Sequence, residues 1–349
     1  MTGRKIHILC NDGSPLGVTE KTMRGEDGRL GCGGAELALL TLCSAWKFYG
    51  NDVVLYNDPK EFGVSSFEQR NVADFNPSED RDILIIFRSP NIRIANAKGL
   101  KVWLSCDSYT VDDFSAFAHK VDRIVTISPF HTNYFKTMYG ITNAINIDLP
   151  VRTWEYTDVE TIEKKPHQCI FTSIPDRGVM ELHAAWPRIQ AQVPDANLVI
   201  TSDWRLWADW CTEEQIRHYK LAYAHHPNIT YLGAVKRDRL VQLQMESSIH
   251  TYSCVFQEQF CISVAESQVA GVFPVTSDCG ALSTTNMGRI IHGNAQDPNW
   301  QDVFVKNVVE LLNDPKLPEK QKWIREVAKK RFSIETILAQ WDSKIFSKG

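Results

Sequence analysis

The sequence predicts an α/β protein that consists of two doubly wound domains in tandem. Short apolar runs rich in β-branched residues alternate along the chain with stretches of helical periodicity. The runs are continuously apolar rather than alternating, which is typical of strands buried on both faces of a parallel sheet. A length of 349 residues exceeds what one ordinary core supports and favours two domains.

The first part of the chain alternates predicted strands with two main helices. Strands are expected at 5–10, 53–56, 82–87, 101–106 and 123–127. Residues 35–49 are apolar on nearly every face, which indicates a buried helix, and Gly50 and Asn51 provide its stop signal. A second helix is expected from Ser128-Pro129 to about residue 139.

A charged stretch at 152–166 separates this part from a second set of elements. The predicted strands are 168–172, 197–201, 228–232, 249–253 and 272–276, and the predicted helices are 179–193, 236–246, 261–271 and a tail from 302. We therefore expect one domain of residues 1–151, completed by a C-terminal helix at 331–349, and another of residues 152–330. Ligands bind at the carboxyl ends of strands in such sheets, so we expect both domains to face one central cleft.

Composition limits the classes of partner and of site. The net charge of -4 implies neither a broad nucleic-acid surface nor a stable nucleic-acid partner. The nine cysteines form no CxxC pair, so we expect neither a disulfide framework nor structural zinc, and a reducing cytoplasm fits best. No apolar stretch is long enough to predict a membrane span or a membrane partner.

Two motifs have the composition of ligand sites. Gly31, Gly33 and Gly34 precede the buried helix, where glycine permits close backbone approach and a helix N-terminus attracts anions. Glu258 and Glu266 flank the start of a later helix with seven residues between them. A carboxylate in the loop can accept hydrogen bonds from a sugar, and one further along can bind a ribose diol. Taken alone, two glutamates at this spacing are better explained as surface charge.

Several segments together carry a family resemblance. FTSIPDRG at 171–178, YLGAV at 231–235 and EQFCISVAE at 258–266, with GGAE at 33–36 and DRIVTIS at 122–128, resemble the retaining glycosyltransferases of family four. That family has the GT-B fold, two Rossmann-like domains around a cleft, and the E-x7-E motif. The resemblance implies an acceptor-side first domain and a second domain that binds a nucleotide-sugar donor.

The resemblance also implies roles for individual residues. Glu258 contacts donor-sugar hydroxyls, Glu266 binds the ribose, and Arg177 lies on the pyrophosphate. The full set of expected donor contacts is Gly33, Gly34, Arg177, Lys236, Glu258, Gln259, Phe260, Cys261 and Glu266.

The chain departs from the family pattern at two positions. A second basic residue is missing at 172–174, and Lys236 or Arg237 is the expected replacement. Asp107 follows a strand where the family often has histidine, and we expect it to bind a donor hydroxyl or an acceptor. The expected catalytic set is therefore Glu258, Arg177 and Asp107.

The expected activity is retaining transfer of a hexosyl or pentosyl group from a nucleoside-diphosphate sugar to a hydroxyl acceptor, without metal or other cofactor. The acceptor hydroxyl attacks the face that the diphosphate leaves, and Arg177 with a helix N-terminus supplies positive charge. The D-x-D at 80–82 lies at the wrong end of a strand for a metal in the cleft.

Other activities remain open at this stage. They are a nucleotide-sugar epimerase or phosphorylase on the same scaffold, and a nucleotide-sugar-binding protein without catalysis. The sequence does not distinguish the sugar, the base, the oligomeric state or the acceptor, which is a glycan, a lipid, a small aglycone or a modified nucleobase.

Overall fold

The structure is a computed structural model that describes residues 3–11, 17–29, 31–110, 112–204, 212–214, 217, 226 and 228–347. The chain divides into two compact units. Unit 1 contains Met1–Pro150 and Ile334–Gly349, and unit 2 contains Val151–Ser333. Compared with the sequence-based boundaries, Val151 and residues 331–333 lie in the second unit rather than in the first.

Unit 1 is built on a seven-stranded parallel sheet. The strands are β1 (Lys5–Cys10), β2 (Asp52–Tyr56), β3 (Glu68–Arg70), β4 (Ile83–Phe87), β5 (Leu100–Leu104), β6 (Arg123–Thr126) and β7 (Ala144–Asn146). Their order is β3-β2-β1-β4-β5-β6-β7. The chain reverses direction across the sheet between β1 and β4, so the ligand crevice is expected outside the carboxyl ends of these two strands.

Four helices of unit 1 lie in the first part of the chain. They are α1 (Glu20–Arg24), α2 (Gly34–Phe48), α3 (Phe114–Ala118) and α4 (Pro129–Tyr139). Of these, α2 and α4 pack on the sheet. Trp103 of β5 is fully buried, and its ring contacts Phe114, Phe117 and Phe135 of α3 and α4 at centroid distances of 4.9–5.5 Å. This aromatic cluster fixes the loop between β5 and α3, which carries Asp107.

Unit 2 repeats the arrangement with six parallel strands. They are β8 (Gln168–Thr172), β9 (Asn197–Thr201), β10 (Ile229–Tyr231), β11 (Ile249–Tyr252), β12 (Phe273–Ser277) and β13 (Arg289–Ile291). The order is β10-β9-β8-β11-β12-β13. The reversal falls between β8 and β11, so the loops after these strands are the expected ligand-binding segments.

The helices of the rest of the chain complete the predicted α/β pattern. They are α5 (Val179–Gln192), α6 (Arg237–Glu246), α7 (Ile262–Val269), α8 (Leu282–Thr285), α9 (Pro298–Leu312), α10 (Leu317–Phe332) and α11 (Ile334–Trp341). The predicted fold class, two doubly wound parallel-sheet units, is confirmed. No helix within the described ranges is long and apolar enough to cross a membrane.

Helix α11 packs on α2 within unit 1. The rings of Trp46 and Trp341 meet edge to face at 5.3 Å, and Phe346 lies 6.0 Å from Trp46 and 5.5 Å from Trp341. Both tryptophans are almost fully buried. The last described turns of the chain therefore supply part of the core that α2 requires.

Candidate active site

In the candidate site of unit 2, the loop after β8 packs directly against the loop after β11. Gly178 has φ +104, and a Cβ there would overlap the carbonyl oxygen of Ser253. The Ser253 hydroxyl donates to the Gly178 carbonyl at 2.8 Å. Only glycine fits this contact, because the backbone is left-handed and the neighbouring strand is too close for a side chain. The contact brings Arg177 to the carboxyl end of β11.

Arg177 and Glu258 face each other at this point. Arg177 Nε lies 3.9 Å from Glu258 Oε1, and the two side chains are 14% and 15% exposed. The guanidinium carbon lies 3.2 Å from the ring centroid of Phe256, which covers one side of the group. Arg177 Nη1 is buried and has no hydrogen-bond partner among the described residues. The arrangement presents a desolvated cation beside a carboxylate, which suits an anionic group attached to a hydroxylated one.

The backbone around Glu258 is held by the turn after β12. Glu258 forms a parallel β-bridge with Gly280, and its carbonyl accepts from Ala281 N–H at 2.7 Å. Gly280 has φ +63, and a Cβ there would overlap the Glu258 backbone. The loop that carries the carboxylate is therefore fixed by main-chain contacts.

The predicted anion-binding helix end follows directly. Helix α7 begins at Ile262, one residue later than expected, because Cys261 has φ 69 and forms the N-cap. Among the described residues, the N–H groups of Gln259, Phe260 and Cys261 form no backbone hydrogen bond. The Phe260 side chain is buried against Phe332 at 5.7 Å between centroids. The backbone of this segment is thus turned to offer donors while its side chains are anchored in the core.

Glu266 lies inside α7 in a buried ion-pair network. Arg237 Nη2 lies 2.7 Å from Glu266 Oε1 and 2.7 Å from Glu155 Oε2. Arg152 Nε donates to the other oxygen of Glu155 at 2.6 Å. The charges of two arginines thus balance those of two carboxylates. The ion pair with Arg237 fixes the orientation of the Glu266 side chain.

The two candidates for the second basic residue have different surroundings. Arg237 is committed to Glu266 and Glu155, as described above. Lys236, the N-cap residue of α6, is exposed. Of the pair, Lys236 is the side chain available to a ligand, and its role in donor binding stays a prediction.

Burial and charge act in opposite directions on Glu258. Burial raises the pKa of this carboxyl and Asp176 adds to the rise, whereas Arg177 and a hydrogen bond from Tyr252 oppose it. Burial likewise raises the pKa of Asp176, although Arg177 opposes that shift. Arg177 is therefore the cation that opposes the rise in pKa of both carboxyls.

The structure adds buried polar side-chain atoms to the candidate site, and two of them belong to Thr172 and Ser202, which the sequence analysis did not single out. Thr172 Oγ1 and Ser202 Oγ, at the carboxyl ends of β8 and β9, and Gln259 Oε1 are buried without hydrogen-bond partners among the described residues. Such groups are rarely left unpaired in a folded protein, so they indicate contacts to a polar ligand or to water. Thr172 ends the predicted strand 168–172 and Ser202 directly follows the predicted strand 197–201, a signal that could have identified these two residues.

The candidate residues of unit 1 gather at the carboxyl ends of β4 and β5. Both carboxylate oxygens of Asp107 accept from Arg88, through Nε and, at 3.2 Å, through Nη2. Arg88 Nη1 also donates to Glu36 Oε1 at 3.5 Å. Asp107 is thus a member of a charged cluster centred on Arg88, a residue that the sequence did not single out. Arg88 has φ 67, and no sequence pattern indicates that conformation.

Neighbouring groups complete this cluster. His131 is fully buried, with Nε2 2.9 Å from the Asp107 carbonyl oxygen, and burial lowers its pKa to about 4, so the ring is neutral near pH 7. Gly33 is the N-cap of α2, where a Cβ would overlap the Glu36 carboxylate. The absence of a side chain at Gly33 therefore makes room for Glu36, and Gly34 is the first residue of the helix.

Replacing Arg88 by methionine is expected to lower the free energy of unfolding by about 1–3 kcal/mol, because Asp107 and Glu36 lose a shared, partly buried cation. Denaturant titration followed by fluorescence measures the change. Arg93→Met, which alters an exposed arginine of the same unit, is the control. Equal stability of the two variants would contradict the structural role of Arg88.

The acidic motif at 80–82 lies at the amino end of β4. Asp80 pairs with Lys98 at 2.6 Å, and Asp82 accepts from the backbone N–H of Lys5 at 2.7 Å. Within the part of the chain that the structure describes, no cluster of three histidine, cysteine or acidic residues could hold a metal ion.

Comparison with known proteins gives one family and a set of structural relatives. Residues 159–331 match the family model described as "Glycosyl transferases group 1". No curated protein sequence matches the chain.

The solved structures resemble the whole chain at low sequence identity. Sucrose-phosphate synthase from Thermosynechococcus elongatus is 15% identical with a TM-score of 0.71, over 98% of this chain and 99% of that one. The Anabaena protein HepE, solved with UDP and glucose, is 13% identical with a TM-score of 0.71, over 99% and 100%. The catalytic domain of starch synthase IV from Arabidopsis thaliana, bound to ADP and acarbose, is 10% identical with a TM-score of 0.68, over 98% of both chains. Residues 159–331 therefore match the glycosyl transferases group 1 family, and the chain has the GT-B fold.

Proposed function

We propose that the protein is a retaining glycosyltransferase that moves a sugar from a nucleoside-diphosphate sugar to a hydroxyl acceptor. The observation that carries the proposal is the pairing of Arg177 with Glu258, 3.9 Å apart at the switch point of the unit 2 sheet. A cation for the diphosphate and a carboxylate for the sugar stand side by side there, next to a helix N-terminus.

Each part of the donor has a candidate partner. The diphosphate binds Arg177 and the N–H groups of Gln259, Phe260 and Cys261, and Lys236 is a further candidate for it. Glu258 accepts hydrogen bonds from the sugar, and Glu266 accepts them from the ribose while Arg237 holds its Oε1. The solved relatives bind UDP in one case and ADP in another, so the fold serves more than one base.

The proposed reaction is a front-side displacement. The bond from the anomeric carbon to the diphosphate oxygen breaks, and the bond from the acceptor oxygen to the same face of that carbon forms. The acceptor proton passes to the departing phosphate oxygen, and Arg177 stabilises the negative charge that develops on the diphosphate. We place the acceptor in unit 1, near Asp107, and expect Arg177 and the helix N-terminus to fulfil the electrostatic role of a metal.

A thermal-shift screen of nucleoside diphosphates tests donor binding directly. At a hundred times its Kd, a bound nucleotide stabilises the protein by about 2.7 kcal/mol, which is visible as a higher Tm. Arg177→Met is expected to abolish most of that shift. Arg188→Met, which alters an arginine on the surface of α5 that is 46% exposed, is expected to retain it. The proposal fails if no nucleoside diphosphate or nucleotide sugar raises the Tm of the unmodified protein.

Product analysis tests the stereochemistry and the metal requirement. The anomeric configuration of the product, measured by NMR, is expected to match that of the donor, and EDTA is expected to leave the rate unchanged. An inverted product contradicts the retaining mechanism, and loss of activity in EDTA contradicts metal independence.

A further inference from the structure

The hydroxyl of Tyr252 reaches the candidate active site from the end of β11. Its oxygen lies 2.8 Å from Glu258 Oε1 and 3.2 Å from Ser173 Oγ. A phenol has one proton, and a carboxylate is the stronger acceptor, so Tyr252 donates to Glu258 and Ser173 donates to Tyr252. The three side chains form a hydrogen-bond chain that ends on Glu258.

Tyr252 is a rigid anchor for that chain. The residue is completely buried, and β11 lies between β8 and β12. Its ring packs against Phe171 at 5.4 Å and against His250 at 5.3 Å between centroids. The hydroxyl therefore cannot move without disturbing the centre of the sheet.

The contacts to Glu258 fall on one side of its carboxylate. Tyr252 and Arg177 both approach Oε1, at 2.8 and 3.9 Å. Among the described residues, no side-chain or backbone donor is bonded to Oε2. The protein thus fixes one oxygen and leaves the other for a ligand.

We propose that Tyr252 is a positioning residue for the sugar transfer, which fixes Glu258 as a carboxylate with Oε2 presented to the donor sugar. The inference rests on the proposed function. An ionised Oε2 accepts hydrogen bonds and donates none, so the donor sugar must carry a hydroxyl or N–H group at that position. A sugar that is deoxygenated there is a poor substrate.

The electrostatic surroundings of Glu258 give the hydroxyl a measurable effect. The charged and titratable groups around it are Arg177, Asp176, Tyr252 and the thiols of Cys254, Cys261 and Cys279. Burial raises the pKa of Glu258, and only Arg177 and the Tyr252 hydrogen bond oppose that rise. Loss of the hydroxyl removes one of these two opposing interactions.

Tyr252→Phe deletes only the phenol oxygen and tests the proposal. We expect kcat to fall about tenfold to a hundredfold, the usual range for a hydrogen bond to a charged group. The acid limb of the kcat/KM profile is expected to move to higher pH, because Glu258 is then harder to ionise. The Kd of a nucleoside diphosphate is expected to stay unchanged, because this ligand lacks the transferred sugar. Ser173→Ala is expected to give a smaller shift in the same direction.

Tyr56→Phe is the matched control. Tyr56 is fully buried in unit 1, and its hydroxyl donates to Glu79 at 3.0 Å. The variant therefore loses the same kind of bond elsewhere, and its pH profile is expected to be that of the unmodified enzyme. If both variants lose a comparable amount of Tm but only Tyr252→Phe changes the pH profile, the change in profile comes from the position of Glu258 and not from lower stability.

A direct titration decides the inference independently of turnover. The ¹³Cδ resonance of Glu258, assigned by its absence in Glu258→Gln, is expected to titrate at higher pH in Tyr252→Phe than in the unmodified protein. An unchanged midpoint overturns the role of Tyr252. An unmodified protein that transfers no sugar would instead contradict the proposed function and leave this titration as the deciding result.

Discussion

Glu258→Gln is expected to lower the rate of sugar transfer by about 10²–10³-fold, the cost of removing one well-placed polar group at a reacting centre. Glutamine has nearly the same shape, so the side chain still fits between Arg177 and Tyr252. The amide carries no charge and is a weaker acceptor for the sugar hydroxyl and for the Tyr252 proton. Binding of the free nucleoside diphosphate is expected to change little.

The fold is expected to tolerate this change. Because burial raises the pKa of Glu258, the native structure disfavours the charge that catalysis requires. An uncharged side chain is therefore expected to leave the free energy of unfolding within about 1 kcal/mol of the original value. Initial rates and denaturant titrations of the same preparations measure both effects.

Glu310→Gln is the control for the loss of one negative charge. Glu310 is 51% exposed on α9 and pairs with Arg289. Its activity is expected to match that of the unmodified protein. Retention of more than about a tenth of the activity by Glu258→Gln would contradict a role of the expected size.

Gly178→Ala is expected to destabilise unit 2 by about 2–4 kcal/mol, from backbone strain together with a steric overlap. The left-handed backbone disfavours any side chain, and the new methyl group would press on the Ser253 carbonyl. The overlap pushes the loops after β8 and β11 apart, so Arg177 moves away from Glu258. Activity is therefore expected to fall even at temperatures where the variant is folded.

Gly271→Ala isolates the conformational part of this effect. Gly271 has φ +72 in the same unit, but a Cβ there would make only ordinary contacts, at 3.6 Å and beyond. Its cost is expected to be about 1 kcal/mol, from the backbone alone. Denaturant titration of both variants measures the difference, and equal costs would show that the contact with Ser253 is unimportant.

The strands of the two sheets could be predicted where burial dominates the sequence. The run at 83–87 is apolar at every position because both faces of β4 are covered, and such runs are visible without alignment. Strands β3 (Glu68–Arg70), β7 (Ala144–Asn146) and β13 (Arg289–Ile291) were missed. All three are three-residue edge strands, and their pairing depends on a neighbouring strand rather than on their own composition.

Site residues, like the strands, could be predicted where the local sequence carries a signal and not where their contacts depend on distant segments. Arg177 and Glu258 lie in recognisable segments, and the structure brings them together. Tyr252 looks like any strand residue in sequence, because its contact with Glu258 depends on how the following loop folds back. Glu155 occurs in a charged stretch without periodicity. Nothing in the neighbouring sequence therefore predicts its pairing with Arg237.

The discontinuity of unit 1 has a consequence for the order of events during synthesis. Unit 2 is continuous from Val151 to Ser333, so every residue of it is added to the chain before Trp341. Unit 1 starts first but lacks the surface that α11 provides to Trp46 until Trp341 has been added. At about 5–20 residues per second, the interval between Pro150 and Trp341 is roughly ten to forty seconds. The unit that is synthesised first is therefore the last to complete its core, and during that interval Trp46 of α2 lacks the rings of Trp341 and Phe346.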